Sequence, residues 1–187
     1  WVSYDGHGRI VDPRLCHDGK YVQHNGYITD IMNDLAVDFL EKRKGGKPWS
    51  LFFAHKAVHP DAEQAADGTV VFGKLGGYIP AERHKDLYKD AIFPKKPNML
   101  SYDEVVKQKP DWKETFLMRA QPQSRQLLES IHAGTQEEIR LRARMMASVD
   151  EGVGMILDTL EKKGELDDTF IVFLGDNGFF FGAHGLT

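Results

Sequence analysis

Three polar clusters in this chain carry side chains able to do chemistry. The first is His55-Lys56-Ala57-Val58-His59, directly after the apolar run Leu51–Ala54. Lys56 and a protonated His59 can hold an oxyanion, and His59 can give a proton to a leaving oxygen. His55 and His59 have the spacing of a helical zinc pair, but this segment leaves a strand. Lys56 also occupies the second position, so the helical metalloprotease pattern does not match. The second cluster is Asp176-Asn177-Gly178, after the apolar run Phe170–Leu174. A carboxylate and an amide carbonyl are hard oxygen donors, suited with further carboxylates to Ca²⁺ or Mg²⁺. Read alone, Asn-Gly is also a common turn pair. The third is Gly182-Ala183-His184-Gly185, whose loop imidazole either meets a substrate or is solvated.

Two other features read as bystanders. Cys16 is the only cysteine, so neither an internal disulfide nor a multi-cysteine zinc site is available. The run Arg140-Leu141-Arg142-Ala143-Arg144 has acidic neighbours Glu137, Glu138, Asp150 and Glu151, and reads as a solvated helix face.

The elements that position these clusters follow from apolar periodicity. Ile28, Ile31, Leu35 and Phe39 form one stripe, which predicts a helix over Thr29–Lys44, capped by Thr29 or Asp30 and ended by Gly45-Gly46. Trp49–Ala54 reads as a strand opened by Pro48. Met145, Val149, Val153, Ile156 and Leu160 predict a helix over Gln136–Lys163, with Gly164 in the left-handed cap. Gly152 and Gly154 inside it suggest close packing against another element. Thr169–Leu174 is apolar throughout and reads as a strand buried on both faces. Residues 1–27 read as irregular. Residues 60–136 are loop-rich, with a short strand at Thr69–Phe72 and a helix at Arg125–Ile131. Strands alternating with helices predict an α/β fold with a mostly parallel sheet. Ligands in such sheets collect beyond the carboxyl ends of the strands, where the first two clusters stand.

The chain has 187 residues, enough for one domain or a large part of one, and eleven Phe, six Tyr and three Trp to build a core. Its formal charge is -4, which gives no basic footprint for nucleic-acid binding. No run approaches the roughly 18 apolar residues of a membrane span.

Several segments, in order, resemble the formylglycine-dependent sulfatases of the alkaline phosphatase superfamily. They are Gly26-Tyr27-Ile28-Thr29-Asp30, then Lys47 through His59, Arg83-His84, Met145 through Gly154, Phe173 through Gly178, and Gly182 through Gly185. The resemblance implies an alkaline-phosphatase-like mixed, mostly parallel sheet flanked by helices, and hydrolysis of sulfate esters, those of carbohydrates in particular. It implies a catalytic role for His59 and for Lys56, substrate contact for His184, and a divalent ion, Ca²⁺ with Mg²⁺ as the alternative, on Asp176 and Asn177. The family nucleophile is formylglycine made from a Cys or Ser in a Cys/Ser-x-Pro-x-Arg segment. Cys16 stands in Leu15-Cys16-His17-Asp18, outside that pattern. The nucleophile and the other two metal carboxylates are therefore expected in an N-terminal part of a longer parent. The chain reads as the middle of one catalytic domain, inactive alone, with residues 60–78 as a substrate-shaping insert. A phosphate or phosphonate ester hydrolase of the same superfamily and a non-catalytic domain of the same fold remain the alternatives. By family analogy the parent is periplasmic, secreted or lysosomal.

Overall fold

The computed structural model describes residues 1–64, 67, 69–72, 77–94, 96–98, 107 and 136–178. The predicted helix at Arg125–Ile131 and His184 lie outside these residues. The chain forms two compact units, one of Trp1–Lys89 with Leu141–Ile171 and one of Asp90–Arg140 with Val172–Thr187.

In the first unit the N-terminal residues are more regular than their polar composition suggested. Strands β1 (Val2–Ser3), β2 (Arg14–His17) and β3 (Lys20–Gln23) form an antiparallel sheet in the order β1-β2-β3. The β2–β3 turn is Asp18-Gly19, with φ of 48° and 84°. Two consecutive left-handed residues make a type I′ turn, whose twist matches that of the flanking strands. The Asp-Gly pair was the readable signal for this hairpin. Leu15 of β2 is fully buried, while Cys16 is half-buried opposite Tyr21.

Helix α1 runs over Ile28–Lys42, close to the predicted span. Its start differs: Tyr27 is the N-cap and makes no side-chain cap bond. The Ile28 amide instead donates to the Ile10 carbonyl at 2.8 Å. Asp30, one of the expected caps, accepts two hydrogen bonds from Arg83, both 2.7 Å. The helix stops at Arg43, ahead of the glycine pair, because Arg43 leaves helical geometry (ψ 128°), stacks over the Trp49 ring and pairs with Glu165.

Helix α2 spans Gln136–Lys162, as its periodicity predicts. It ends in a Schellman motif: the Gly164 amide donates to Glu161 at 2.8 Å and the Glu165 amide to Leu160 at 2.9 Å, with Gly164 at φ 67°. Gly152 faces α1 so closely that a Cβ there would lie 2.1 Å from Asn33 Oδ1. Asn33 in turn donates to the Ser148 carbonyl at 3.0 Å. Gly154 has open space around it, so only the first of the two glycines serves packing. Met145, Val149 and Leu160 of α2 are buried, as are Ile28, Ala36 and Leu40 of α1.

A short 3₁₀ turn, Glu82–His84, is bound to both helices. Arg83 also donates to Glu151 from Nε at 3.0 Å. His84 Nε2 lies 2.8 Å from Glu151 Oε1 and its Nδ1 lies 3.0 Å from Ser148 Oγ. The Arg83 guanidinium holds the Glu151 carboxyl below the usual carboxylate range. A carboxylate only accepts, so Nε2 carries the proton and Nδ1 accepts from the serine hydroxyl. Ser, His and Glu thus stand in the order of a nucleophilic triad. Ser148 is wholly buried, however, so the set joins the elements and attacks nothing.

The arginine run of α2 is not a solvated face. Arg142 and Arg144 are buried, Arg142 over the Tyr78 ring and Arg144 donating to the Leu87 carbonyl at 2.7 Å. Long side chains bury their stems and carry the charge to a carbonyl or an aromatic face. In the second unit the Gln136 amide and the Phe93 backbone exchange hydrogen bonds of 2.7 and 2.8 Å, while Arg140 donates to the Ala91 carbonyl at 3.1 Å.

The two central strands expected at Trp49–Ala54 and Thr169–Leu174 do not form. A strand needs a neighbour to take its backbone groups, and neither run has a ladder partner among the described residues. Phe52 is 89% exposed while Leu51 and Phe53 are half-buried, so the first run keeps one covered face. Phe170, Phe173 and Leu174 are all exposed, which corrects the expectation of burial on both faces. The expected strand near residue 70 does form. β5 (Val70–Phe72) pairs antiparallel with β4 (Ala62–Gln64), apart from the three-stranded sheet.

Candidate active site

The run Leu51–Ala54 delivers the chain to a tight turn at residues 56–59. The His59 amide donates to the Lys56 carbonyl at 2.9 Å, across a cis Ala57–Val58 peptide. This turn brings Lys56 and His59 together. Lys56 Nζ lies 3.5 Å from His59 Nδ1 and donates to the carbonyls of His7 at 2.6 Å and of Pro60 at 3.3 Å.

Lys56 is only 5% exposed. Burial pushes its ammonium down to about 8, and Asp61 partly opposes this. Asp61 is itself buried and accepts the Ile10 amide at 3.2 Å, while its own amide donates to the Gly77 carbonyl at 2.8 Å. The expected substrate-shaping insert at residues 60–78 therefore has buried ends. Its first residues are core, and so is Tyr78.

His59 Nδ1 stands 2.8 Å from the Pro60 carbonyl oxygen. A contact that short requires a proton between the two atoms, and a carbonyl has none to give. His59 therefore carries its proton on Nδ1. The His7 ring flanks that imidazole, with centroids 5.0 Å apart and planes tilted by 33°. His55 packs on Phe53, and burial disfavours its charged form. Its Nδ1 is buried without a hydrogen-bond partner among the described residues.

Sequence reasoning overlooked His7 and Asp61. His7 stands between Gly6 and Gly8, with φ of 53° and 62°. A Cβ at Gly8 would meet the Tyr4 ring at 2.6 Å, so this turn demands glycine. Glycines on both sides of a histidine were the available signal.

Asp176 and Asn177 belong to the second unit, at the exposed end of the run that follows α2, with Gly178 turning at φ 122°. They do not end a buried strand, as the sequence suggested. Their donor chemistry, adjacent carboxylate and amide oxygens, fits a hard cation. No third His, Cys, Asp or Glu joins them in a metal-binding group among the described residues. Among the same residues, no helix is long and apolar enough to cross a membrane.

Comparison with known proteins gives this geometry its context. The family model described as Sulfatase matches residues 5–186. An N-acetylglucosamine-6-O-sulfatase of Bacteroides thetaiotaomicron is 27% identical over 95% of this chain and 38% of its own length. An arylsulfatase of Volvox carteri is 33% identical over 84% of this chain and 24% of its own. The solved structure of BT4656 in complex with its substrate, D-glucosamine-2-N,6-O-disulfate, superposes with a TM-score of 0.67 at 26% identity, over all of this chain and 45% of the other. The chain thus spans less than half the length of these relatives. With the ordered motifs, the matched length and the superposition in agreement, the chain belongs to the sulfatase family and has its alkaline-phosphatase-like fold.

Proposed function

We propose that the protein carrying this chain hydrolyses sulfate esters, with sulfated carbohydrates as the substrate class. The observation that carries this reading is the Lys56–His59 turn. It supplies a buried ammonium and an imidazole whose tautomer is fixed, inside a chain of the sulfatase family. The relatives named for 6-O-sulfated glucosamine support the carbohydrate class.

In this reading His59 is the catalytic residue of the described part. Its Nδ1–H stays on the Pro60 carbonyl. The imidazole, once charged, acts as the general acid for the oxygen that departs as the S–O bond breaks, which spares the leaving group a full negative charge. Lys56 serves the same site as its buried cation. His184 is proposed to contact the substrate. Asp176 and Asn177 would hold the divalent ion, Ca²⁺ by preference and Mg²⁺ as the alternative, and a bound ion of this kind supplies charge to a sulfate oxygen. The formylglycine nucleophile is assigned to a part of the protein beyond these residues. Residues 1–187 are taken as part of one catalytic domain.

The test is sulfate release from glucosamine 6-O-sulfate and from an activated aryl sulfate by the full-length protein, measured by ion chromatography. Turnover that falls about 10²-fold or more in His59→Ala on the sugar substrate is expected. Release of phosphate from phosphate esters with no release of sulfate would overturn the reading.

A further inference from the structure

We propose that His17 and His24 form a proton-operated clasp on the β2–β3 hairpin. It is closed while one proton stands between the two imidazoles, and acid opens it when each ring takes a proton of its own. The inference is independent of the hydrolase reading above.

The two rings meet at 2.9 Å, Nε2 to Nε2. Their centroids are 5.1 Å apart and their planes lie within 22° of each other. A centroid separation so much larger than the nitrogen separation puts both nitrogens between the rings, which therefore meet head to head. Two imidazole nitrogens this close need one hydrogen between them. With none, two lone pairs would face each other; with two, the N–H groups would collide. The neutral pair meets this condition, one ring donating to the other. The singly charged pair meets it as well, with a charge-assisted and stronger bond. When both rings are charged, each Nε2 bears a hydrogen and neither accepts, so the contact cannot persist.

The backbone on either side is fixed independently of the rings. His17 ends β2, in register with Lys20 across the Asp18-Gly19 turn. The His24 amide donates to the Pro13 carbonyl at 2.9 Å, and Gln23 Nε2 donates to the His24 carbonyl at 3.0 Å. The clasp thus runs along the hairpin, from its turn to the connection that enters α1 at Tyr27. Its opening would release the turn from that connection while the ladder remains.

The charged groups about the pair act in both senses. Lys20 stands opposite His17 in the ladder and opposes a second charge. Asp18, beside His17, favours charge on that ring, but its side chain is 83% exposed and water screens it. On the other side of the pleat, Arg14 lies over the Tyr21 ring and Cys16 is in register with Tyr21. Asp5 accepts from the Tyr21 hydroxyl and Asp12 from the Gly26 amide, each at 2.7 Å. The neighbouring strand β1 carries Val2 and Ser3, with no titratable side chain. Repulsion between two charged rings in contact therefore exceeds the screened attraction of Asp18.

The experiment uses the full-length protein labelled with ¹⁵N-histidine. At pH 7.5 a ¹⁵N–¹⁵N scalar coupling through the hydrogen bond should join the Nε2 atoms of His17 and His24, assigned by its loss in His24→Gln. The coupling should vanish by about pH 5, well below the general histidine value of about 6.5. In parallel, amide exchange over Arg14–His24, corrected for the intrinsic effect of pH, should lose about fivefold to tenfold of its protection between pH 7.5 and pH 5. His24→Gln, whose amide can still pair with His17 but takes up no proton, should show no such loss. Absence of the coupling at pH 7.5, its persistence at pH 5, or an equal loss of protection in wild type and His24→Gln would overturn the proposal. If His24→Gln does not fold, the wild-type coupling at the two pH values decides alone.

Discussion

The stretch Lys56–Asp61 is held by bonds that reach far along the chain. Lys56 is tied to the His7 carbonyl, 49 positions away, and Asp61 to the Ile10 amide, 51 positions away. Phe170–Asn177 has more apolar residues and the higher strand propensity, yet its side chains face solvent and it joins no ladder among the described residues. The difference lies in where each stretch finds its partners. A polar turn can be completed by a lysine, a carboxylate and a few carbonyls. A buried strand is completed only by neighbouring strands on both sides.

The largest effect that would sharpen this contrast is expected at Asp61. Asp61→Ala removes the acceptor of a buried amide and the charge that partly offsets the buried Lys56 ammonium. It should lower unfolding free energy by about 2–4 kcal/mol in urea titrations, through an unsatisfied donor and an uncompensated cation. A loss below about 0.5 kcal/mol would mean that the turn is held some other way.

Next comes the frame behind the turn. Gly152→Ala should cost about 1–3 kcal/mol, because its Cβ collides with Asn33. Gly154→Ala, in open space on the same helix, should be neutral or stabilise by up to about 1 kcal/mol. Equal effects at the two sites, measured by thermal unfolding, would contradict the close α1–α2 approach.

These two glycines show how much the sequence disclosed. The periodicity of α1 and α2 was readable to within two residues, because one face of each helix is buried within this chain. The pairing of Lys56 with His59 was readable as well, being local. The central strands were read where no strand forms, since their residue pattern reports the burial of a completed sheet and not of this stretch alone. Asp61, His7 and the buried Arg142 and Arg144 were overlooked or misread for the opposite reason. Their partners are carbonyls, amides and rings many positions away, and no side-chain pattern announces them.

A third test uses pH. The folded-state value of Lys56 lies near 8, below its ordinary 10.5. Below both values the lysine is charged whether folded or unfolded, and its burial cost is constant. Between them the unfolded chain binds the extra proton, so this group raises stability as pH increases from about 8 to about 10.5. The stability difference between wild type and Lys56→Met should therefore move in favour of wild type across that window. A flat difference would mean that the ammonium is not held in a desolvated place.

The smallest effect is expected in the other region. Phe173→Ser should change the stability of the 187-residue chain by less than about 0.5 kcal/mol, because that side chain is 68% exposed. In a full-length protein that completes the sheet, the same change should cost about 3 kcal/mol or more. Similar small values in both would mean that no strands ever cover this run.

The paired hydrogen bonds between Gln136 and the Phe93 backbone have a consequence for variation in chain length. They join two points 43 positions apart, and Arg144 holds Leu87 across 57 positions just outside them. The entropy of closing a flexible connection grows only with the logarithm of its length, so doubling one costs about 0.6 kcal/mol. A change in the number of residues between these anchors should therefore cost α1, α2 and the Lys56–His59 turn little, which the urea-unfolding free energy of a length variant would measure. Insertions of equal size between Lys56 and Asp61 have no such freedom, since every bond there depends on the spacing.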